Sequence, residues 1–462
     1  YAVNYGKGNF GTILTMWKRS DPCQRRISAD ISNIRARHIK RRKRMLLSHK
    51  TSIKVSQDYA NIIGHMCYAA YKLWNICNYE RYHYKELGIE NYPDWYYQKK
   101  VHKEDLWFKQ LPSQSAQEVC KQLDKAWRSF FTLKRTGGIE NPRPPRFKQE
   151  GISIVYMQNA VVHEKENGRV RLSLPKQLKI YMEERYGIHA RFLYLENAIF
   201  RNMDHIKQIR IAPPQNGVCE TIVVYEREDT ELKPDNGHYL SIDLGLHNLM
   251  TCYDLGNGSS FILGRKYLSL CHYYHKEIAR VQSQWYSQQA RQGIRYPKTS
   301  GHIRRLHRKK RQAVKDYLHK ITRYIVGYCR EKEITCVILG DIHNIRQGKD
   351  LGHKVNQKLH ELPYEKLTEM LEYKLRLYGI RLVKQEESYT SQCSPLSREV
   401  SRSCAEPSNR KKRGLYCDEA GNYNADAVGA FNIMRKYLCV IKSKREVSVT
   451  GLKDPKIIKV AV

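Results

Sequence analysis

Acidic residues stand at the ends of several apolar runs in this sequence. Asp243 ends Tyr239-Leu240-Ser241-Ile242 and is followed by Leu244-Gly245. Asp341 comes after Ile334 to Leu339 and Gly340. Glu386 and Glu387 close the stretch that begins at Ile380 to Lys384. Asp426 stands just before Ala427 to Tyr437, which has a helical pattern. Strand ends hold side chains rigidly, and carboxylate oxygens are the ligands Mg²⁺ prefers. The chemistry such a set performs is phosphodiester hydrolysis with two metal ions about 4 Å apart. One strand-end Asp is a weak sign, because acids also cap turns. Several from separated strands are a stronger one.

The charge balance fits a phosphate-rich partner. Among 462 residues, 82 Lys and Arg oppose 46 Asp and Glu, a net charge of +36. So large an excess calls for a polyanion, and nucleic acid is the usual one, because each neutralised phosphate releases a counterion. The 33 tyrosines add stacking surfaces suited to unwound strands. Hydrophobic residues make up 41%, enough for real cores, so the chain is no disordered basic tail. Its apolar runs fall well short of the ~20 residues of a membrane span, and no signal peptide opens it. The 13 cysteines have no regular spacing. Cys67, Cys77, Cys120, Cys329 and Cys336 sit within apolar patterns, as small buried hydrophobes of a reducing compartment. A cytoplasmic, nucleoid-associated protein is expected.

The length suits about three domains of roughly 150 residues. Residues 1–44 are a basic extension, either a segment upstream of a start at Met45 or a flexible arm. Helical periodicity runs from Tyr59 to Leu87 and stops at Gly88. A second helix spans about Pro112 to Lys134, with Val119, Leu123, Ala126, Trp127, Phe130 and Phe131 on its apolar face and Gly137 and Gly138 at its end. The turn-rich segment Asn141 to Arg146 is a linker. Its Arg143 and Arg146 either grip a phosphate backbone or belong to a plain connector. Residues 150–235 read as β-rich, with strands at Val170 to Leu174, Ile206 to Ile211 and Thr221 to Tyr225. The last two are paired through an Asn216-Gly217 turn. From Tyr239 onward strands alternate with helices, as in a mixed α/β sheet. The strands are at Tyr239 to Asp243, Asn248 to Tyr253, Ile334 to Leu339 and Ile380 to Lys384. The helices are at Tyr267 to Gln292, Ile303 to Lys332 and Pro363 to Leu377. In the second of these helices Arg304, Arg305, Arg308, Lys309, Lys310 and Arg311 circle the axis. Their mutual repulsion costs stability unless phosphates offset it.

Three motifs in order carry a family resemblance. Ser241-Ile242-Asp243-Leu244-Gly245 with Asn248-Leu249, then Glu386-Glu387-Ser388-Tyr389-Thr390-Ser391-Gln392, then Asn424-Ala425-Asp426-Ala427-Val428-Gly429-Ala430-Phe431-Asn432-Ile433 together resemble TnpB. TnpB is the RNA-guided endonuclease of bacterial insertion sequences, of the OrfB transposase family, and a relative of compact type V CRISPR effectors and of Fanzor. The resemblance covers nearly everything after Met45, including Trp74-Asn75. It implies an α/β multidomain fold: an RNase H-like (RuvC) nuclease domain at 236–391 and 425–440, and a β-barrel wedge domain at 45–58 and 140–235. A helical recognition domain follows at 59–139, a degenerate zinc-ribbon-like target-nucleic-acid-binding insert at 392–424, and a C-terminal tail at 441–462. The implied partners are a guide RNA, double-stranded target DNA with a short flanking motif, and single-stranded DNA in the cleavage site. The implied cofactor is a pair of Mg²⁺ ions held by Asp243, Glu387 and Asp426, one activating water and the other stabilising the leaving oxygen.

Two departures from the family stand out. Its middle Glu usually ends the second long strand, where this chain has Leu339-Gly340-Asp341. Either the site is rearranged, with Glu387 three residues before Thr390-Ser391 in that role and Asp341 a lesser candidate, or the site is decayed. A decayed site would leave an RNA-guided DNA-binding repressor, or an accessory of transposition. The second departure concerns zinc. The insert holds Cys393, Cys404 and Cys417, with no CxxC pair and no His, so no zinc is expected. Its basic run Asn409-Arg410-Lys411-Lys412-Arg413 lies near nucleic acid or forms a solvated loop.

Overall fold

Helix α1 (Gln57–Tyr82) begins where Ser56 accepts a hydrogen bond from the Tyr59 amide, with Asp58 in the first, dipole-positive turn. Its inward face is Ile62, Ile63, Met66, Ala69, Ala70, Leu73 and Cys77, the periodicity read from the sequence. It stops five residues short of the expected Leu87, because the backbone leaves the helix at His83; Gly88, at φ 69°, closes the turn that follows. Two short helices, α2 (Trp95–Val101) and α3 (Leu106–Lys109), lead to α4 (Ser113–Thr136). Helix α4 starts after Pro112 and ends on Gly137 at φ 65°. Phe131, expected on its buried face, is exposed instead and only partly covered by the rings of Tyr92, Trp127 and Phe130.

The computed structural model describes residues 44–137, 139–341, 363–412, 414–419 and 421–461. It divides after Asp229 into two units. Among the described residues, no helix is long and apolar enough to cross a membrane.

In the first unit the linker is fastened along one side of α1. The Trp74 indole donates to Arg146 O (3.2 Å), and Asn75 exchanges two hydrogen bonds with the Lys148 backbone. Asn78 and Tyr82 both donate to Pro145 O. Asn78 is fully buried and also accepts from the Trp127 indole at 2.8 Å. The Asn78→Ala variant strands a buried carbonyl and a buried N–H, at about 1–3 kcal/mol for such groups. Its thermal midpoint is expected to fall by several degrees at the usual ~2–4 °C per kcal/mol. An unchanged melting curve would show that the strap carries no stability.

Strand β1 (Arg44–Lys54) begins at the first described residue. It is followed along the chain by β2 (Ile154–Met157), β3 (Val161–Glu164), β4 (Arg169–Ser173), β5 (Phe192–Glu196), β6 (Ile206–Ile211) and β7 (Val218–Glu228). They form a four-stranded sheet, β1-β7-β6-β2, and a three-stranded one, β3-β4-β5. The β6–β7 hairpin turns at Asn216 (φ 52°) and Gly217 (φ 70°), both left-handed as a type I′ turn requires. Helix α5 (Lys176–Tyr186), between β4 and β5, was not expected from the sequence. The helices and strands of this unit share one buried cluster, from Ile62 and Leu123 to Val170 and Ile209.

The second unit is built on a six-stranded sheet. Its strands are β8 (Tyr239–Asp243), β9 (Met250–Asp254), β10 (Ser259–Leu263), β11 (Cys336–Asp341), β12 (Arg381–Glu386) and, after the hairpin β13 (Leu415–Asp418) and β14 (Gly421–Asn424), β15 (Gly451–Ile457). The order is β12-β11-β8-β9-β10-β15. Strands β8, β9 and β10 form an antiparallel meander; β11 runs parallel to β8, β12 parallel to β11, and β15 parallel to β10. Helices α6 (Lys266–Arg291), α7 (Gly301–Glu331) and α8 (Tyr364–Arg376) cover one face, burying Leu240, Ile242, Val337 and Leu339. Helix α9 (Ala425–Val440) covers the other, against Tyr239, Cys336 and Ile338. The expected C-terminal tail at 441–462 thus contains an edge strand of this sheet. Gly-Leu-Lys-Asp-Pro-Lys-Ile has no strand-like apolar run, and the open edge of β10 supplies the pairing that its sequence does not advertise.

Candidate active site

Which acids meet follows from the two-residue period of a strand. On β8, Leu240 and Ile242 point to the α6–α8 face, so Tyr239, Ser241 and Asp243 point to α9. Ser241 accordingly donates to Ala430 O of that helix at 2.6 Å. On β11, Cys336 and Ile338 face α9, so Gly340 does too, while Asp341 faces the α8 layer and accepts from the Tyr364 hydroxyl (3.0 Å). The register pairs Leu339 with Ile242, which sets Gly340 beside Asp243. On β12 Val383 packs on the α9 side, and the same alternation carries Glu387, one residue past the strand, to that side.

Two glycines make the room. A Cβ on Gly429 of α9 would lie 2.5 Å from Asp243 Oδ2. A Cβ on Gly340 would overlap Glu387 Oε2 and sit 2.8 Å from Ile433 Cδ1. The volume that a side chain at 340 would fill is therefore taken by the Glu387 carboxylate. The turn after Glu387 is pinned to α9. Buried Asn432 donates to Thr390 O and Cys393 O (2.8 and 2.9 Å), and the Thr390 hydroxyl donates to Glu387 O.

Asp426 lies in the first turn of α9 rather than ahead of it. Asn424 caps that helix by accepting from the Asp426 and Ala427 amides. Asn248 donates to Asp426 Oδ2 at 2.7 Å, and the Arg410 guanidinium stands 3.6 Å from Oδ1. Asp243, Glu387, Asp426, Asp341 and Glu386 all line one cleft of about 790 Å³. Among the described residues, no group of three or more His, Cys, Asp or Glu side chains is placed to hold a metal ion; the acids line the cleft without converging on one point.

The electrostatics of the cleft are those of crowded like charges. Burial, and then the charge of Asp426, push the Asp243 carboxyl up to about 7, with Arg410 opposing. Burial, and then the charges of Asp243, Asp341 and Glu386, push Glu387 up to about 8. Glu387 Oε2 is buried with no hydrogen-bond partner. Glu386, by contrast, is exposed and ion-paired to Lys436, and it accepts from the Ser388 amide at 2.5 Å.

The chain is similar to several known proteins. Residues 222–346 match the family described as a probable transposase, OrfB_IS605, and residues 364–433 match the Cas12f1-like TNB domain. The chain is similar to the TnpB-like protein ORF457 of Acidianus two-tailed virus, at 25% identity over 80% of this chain and 82% of that one. It is also similar to the putative RNA-guided DNA endonuclease InsQ of Escherichia coli K12, at 23% identity over 74% and 78%. These similarities support a protein of the TnpB type, related to the type V effectors. Its fold is that of the Cas12f1 chain in a Cas12f1-sgRNA-target DNA complex, with a TM-score of 0.52 at 16% identity, covering 82% of this chain and 83% of that one.

The basic residues of the chain fall into separate places. Arg143 and Arg146 are exposed on the strapped linker of the first unit. On α7, Arg304, Arg305, Arg308, Lys309 and Arg311 are exposed, whereas Lys310 is half-buried against His275. Lys411 and Lys412 are exposed in the insert, and Arg413 lies outside the described residues. Sequence reasoning gave Arg410, Asn248 and Gly429 no role at the acids. Arg410 lies within the basic run at 409–413, and Asn248 and Gly429 lie within the quoted motifs. Only the folded cleft shows that they face the acids.

Proposed function

We propose that this TnpB-type protein is an RNA-guided DNA endonuclease whose nuclease centre is Asp243, Glu387 and Asp426. The observation that carries the reading is Glu387 Oε2, buried and unpartnered, in the space vacated at Gly340 and beside Asp243. An all-oxygen donor set of crowded carboxylates fits a hard divalent cation. Mg²⁺ held by these three acids would supply Lewis-acid stabilisation of the charge that develops on a phosphodiester. The chain's own residues do the rest. Asn248 orients Asp426, Arg410 offers a cation to a phosphate entering the cleft, and Lys436 draws Glu386 aside. On this reading the strands of the first unit are the wedge, its helices are the recognition domain, and the α9-faced sheet is the RuvC-like domain. Guide RNA supplies sequence choice by pairing. The primary test is cleavage of labelled DNA by protein purified with its native locus RNA, with Mg²⁺ and with EDTA. Guided DNA binding with no cutting would favour a repressor over the nuclease.

The raised carboxyls also make a prediction that needs no DNA. Their folded pKa values lie above the unfolded ones, so the folded state binds more protons between about pH 4 and pH 8. Without divalent metal, stability therefore falls as pH rises through that window. At pH 8, Mg²⁺ at ~100 times its Kd is expected to raise the melting temperature by about 5–10 °C. The Asp243→Asn variant should melt above the metal-free wild type at pH 8 and gain nothing from Mg²⁺. A metal shift that survives in Asp243→Asn would remove these acids from the metal site.

A further inference from the structure

A second cavity lies in the first unit, between α1, α3 and α5. It holds about 540 Å³ and is walled by His65, Tyr68, Trp107 and Tyr181, with Gln110 deep inside. The His65 and Tyr181 rings are nearly parallel at 4.2 Å, and Tyr68 meets Trp107 edge to face at 5.4 Å. On the α1 side, Ala60 and Gly64 stand one turn apart and leave the helix surface hollow; a Cβ on Gly64 would meet only Pro214, at 3.8 Å. The rim residues Tyr68, Tyr186 and Leu106 are exposed, an apolar patch of the kind that marks an interaction site. Lys72 rests over Tyr68 at 5.3 Å.

The polar atoms inside select the occupant. Gln110 is only 4% exposed, and its Oε1 is buried without a hydrogen bond; the same holds for His65 Nε2. Gln110 is close enough to His65 to act on its imidazole as a hydrogen-bonding neighbour, against the larger effect of burial. Burial keeps the His65 imidazole below its usual range, so the ring is neutral at pH 7. An aliphatic side chain would leave both polar atoms stranded, and a bare phosphate would make no use of the rings. A flat heteroaromatic ring with a hydrogen-bonding edge uses both. Unpaired RNA bases are recognised in this way, stacked on aromatic side chains and bonded along their edges. The cation at the rim and the net charge of +36 favour a base carried on a polyanion.

We propose that this cavity takes one unpaired nucleobase of the bound RNA, stacked on the aromatic wall with its edge at Gln110 and His65. The proposal rests on the RNA-guided reading above. The test measures affinity of the full chain for its locus RNA, together with a base-reactivity footprint, with no DNA present. Three proteins are compared. These are the wild type, Ala60→Leu, which fills the cavity from a half-buried position, and Gln110→Leu, which keeps the shape and removes the edge. Melting curves establish that both variants fold. One unpaired base protected in the wild type should become reactive in both variants, with affinity lower by roughly tenfold. An unchanged footprint and affinity in both folded variants would overturn the proposal and leave the nuclease reading intact. Absence of any RNA binding by the wild type would overturn the guided reading itself. A mononucleotide such as AMP or UMP that shifts wild-type fluorescence but not that of Trp107→Phe, with the RNA footprint unaltered by Ala60→Leu, would make the ligand a free nucleotide and overturn the RNA assignment. Protection that appears on a base of added target DNA instead would do the same.

Discussion

Asp243→Ala is expected to abolish cleavage of guided DNA while leaving RNA binding and the fold in place. Lewis-acid stabilisation of a phosphoryl transition state amounts to several kcal/mol, and each ~1.4 kcal/mol is tenfold in rate. Loss of the acid at the centre of the sheet should therefore cost at least about 10³-fold in the cleavage rate. The fold should survive. Burial and the charge of Asp426 already work against ionised Asp243, and its carboxylate packs over Gly429, where an added Cβ would meet it. Single-turnover cleavage with saturating guide complex checks this, with gel-shift binding of the target as the control. Full binding with full loss of cutting is the expected pair. Cutting within a few fold of wild type would mean that the hydrolytic centre lies elsewhere in the chain.

The second large effect concerns the exchange of a glutamate between two strands. Gly340→Ala puts a methyl group into the Glu387 carboxylate and against Ile433. Overpacking of this kind costs about 1–3 kcal/mol and displaces whatever can move. The mobile partner is Glu387, so cleavage should fall by roughly 10²-fold or more with a modest loss of stability. Gly340→Glu alone should be as poor, because two carboxylates then compete for one volume. Gly340→Glu combined with Glu387→Ala returns a single glutamate to that volume from the neighbouring strand. It should cut measurably faster than either single variant. Glu387→Ala that still cuts at the wild-type rate would sink the assignment and move the role to Asp341. Physical placement argues against Asp341, since its strand position faces α8 and its carboxylate already accepts from Tyr364.

Much of this protein is legible in its sequence where the signal is local. The apolar spacing from Ile62 to Cys77 makes α1 whatever else is nearby. Pro112 and Gly137 bracket α4, and Asn216-Gly217 can only close a left-handed turn. The acids at strand ends announce themselves as a set, because each stands where an apolar run stops. The motifs around Asp243, Glu387 and Asp426 point to the TnpB type before any coordinate is known. What the sequence leaves open is decided by register and by packing between distant segments. Five acids approach one cleft, yet strand alternation and the pairing of Leu339 with Ile242 choose which of them share the α9 face. The absence of a glutamate at 340 looks like decay in one dimension; in three, it is the space that Glu387 occupies. Asn248 gains its place from Asp426, 178 positions away, Arg410 from the same Asp426 beyond the insert's hairpin, and the strand β15 from an open sheet edge. The aromatic cavity likewise exists only where α1, α3 and α5 meet. A chain fixes what each stretch prefers locally, but the volume left between stretches is a property of the folded whole, and here that volume holds both the proposed chemistry and the proposed base.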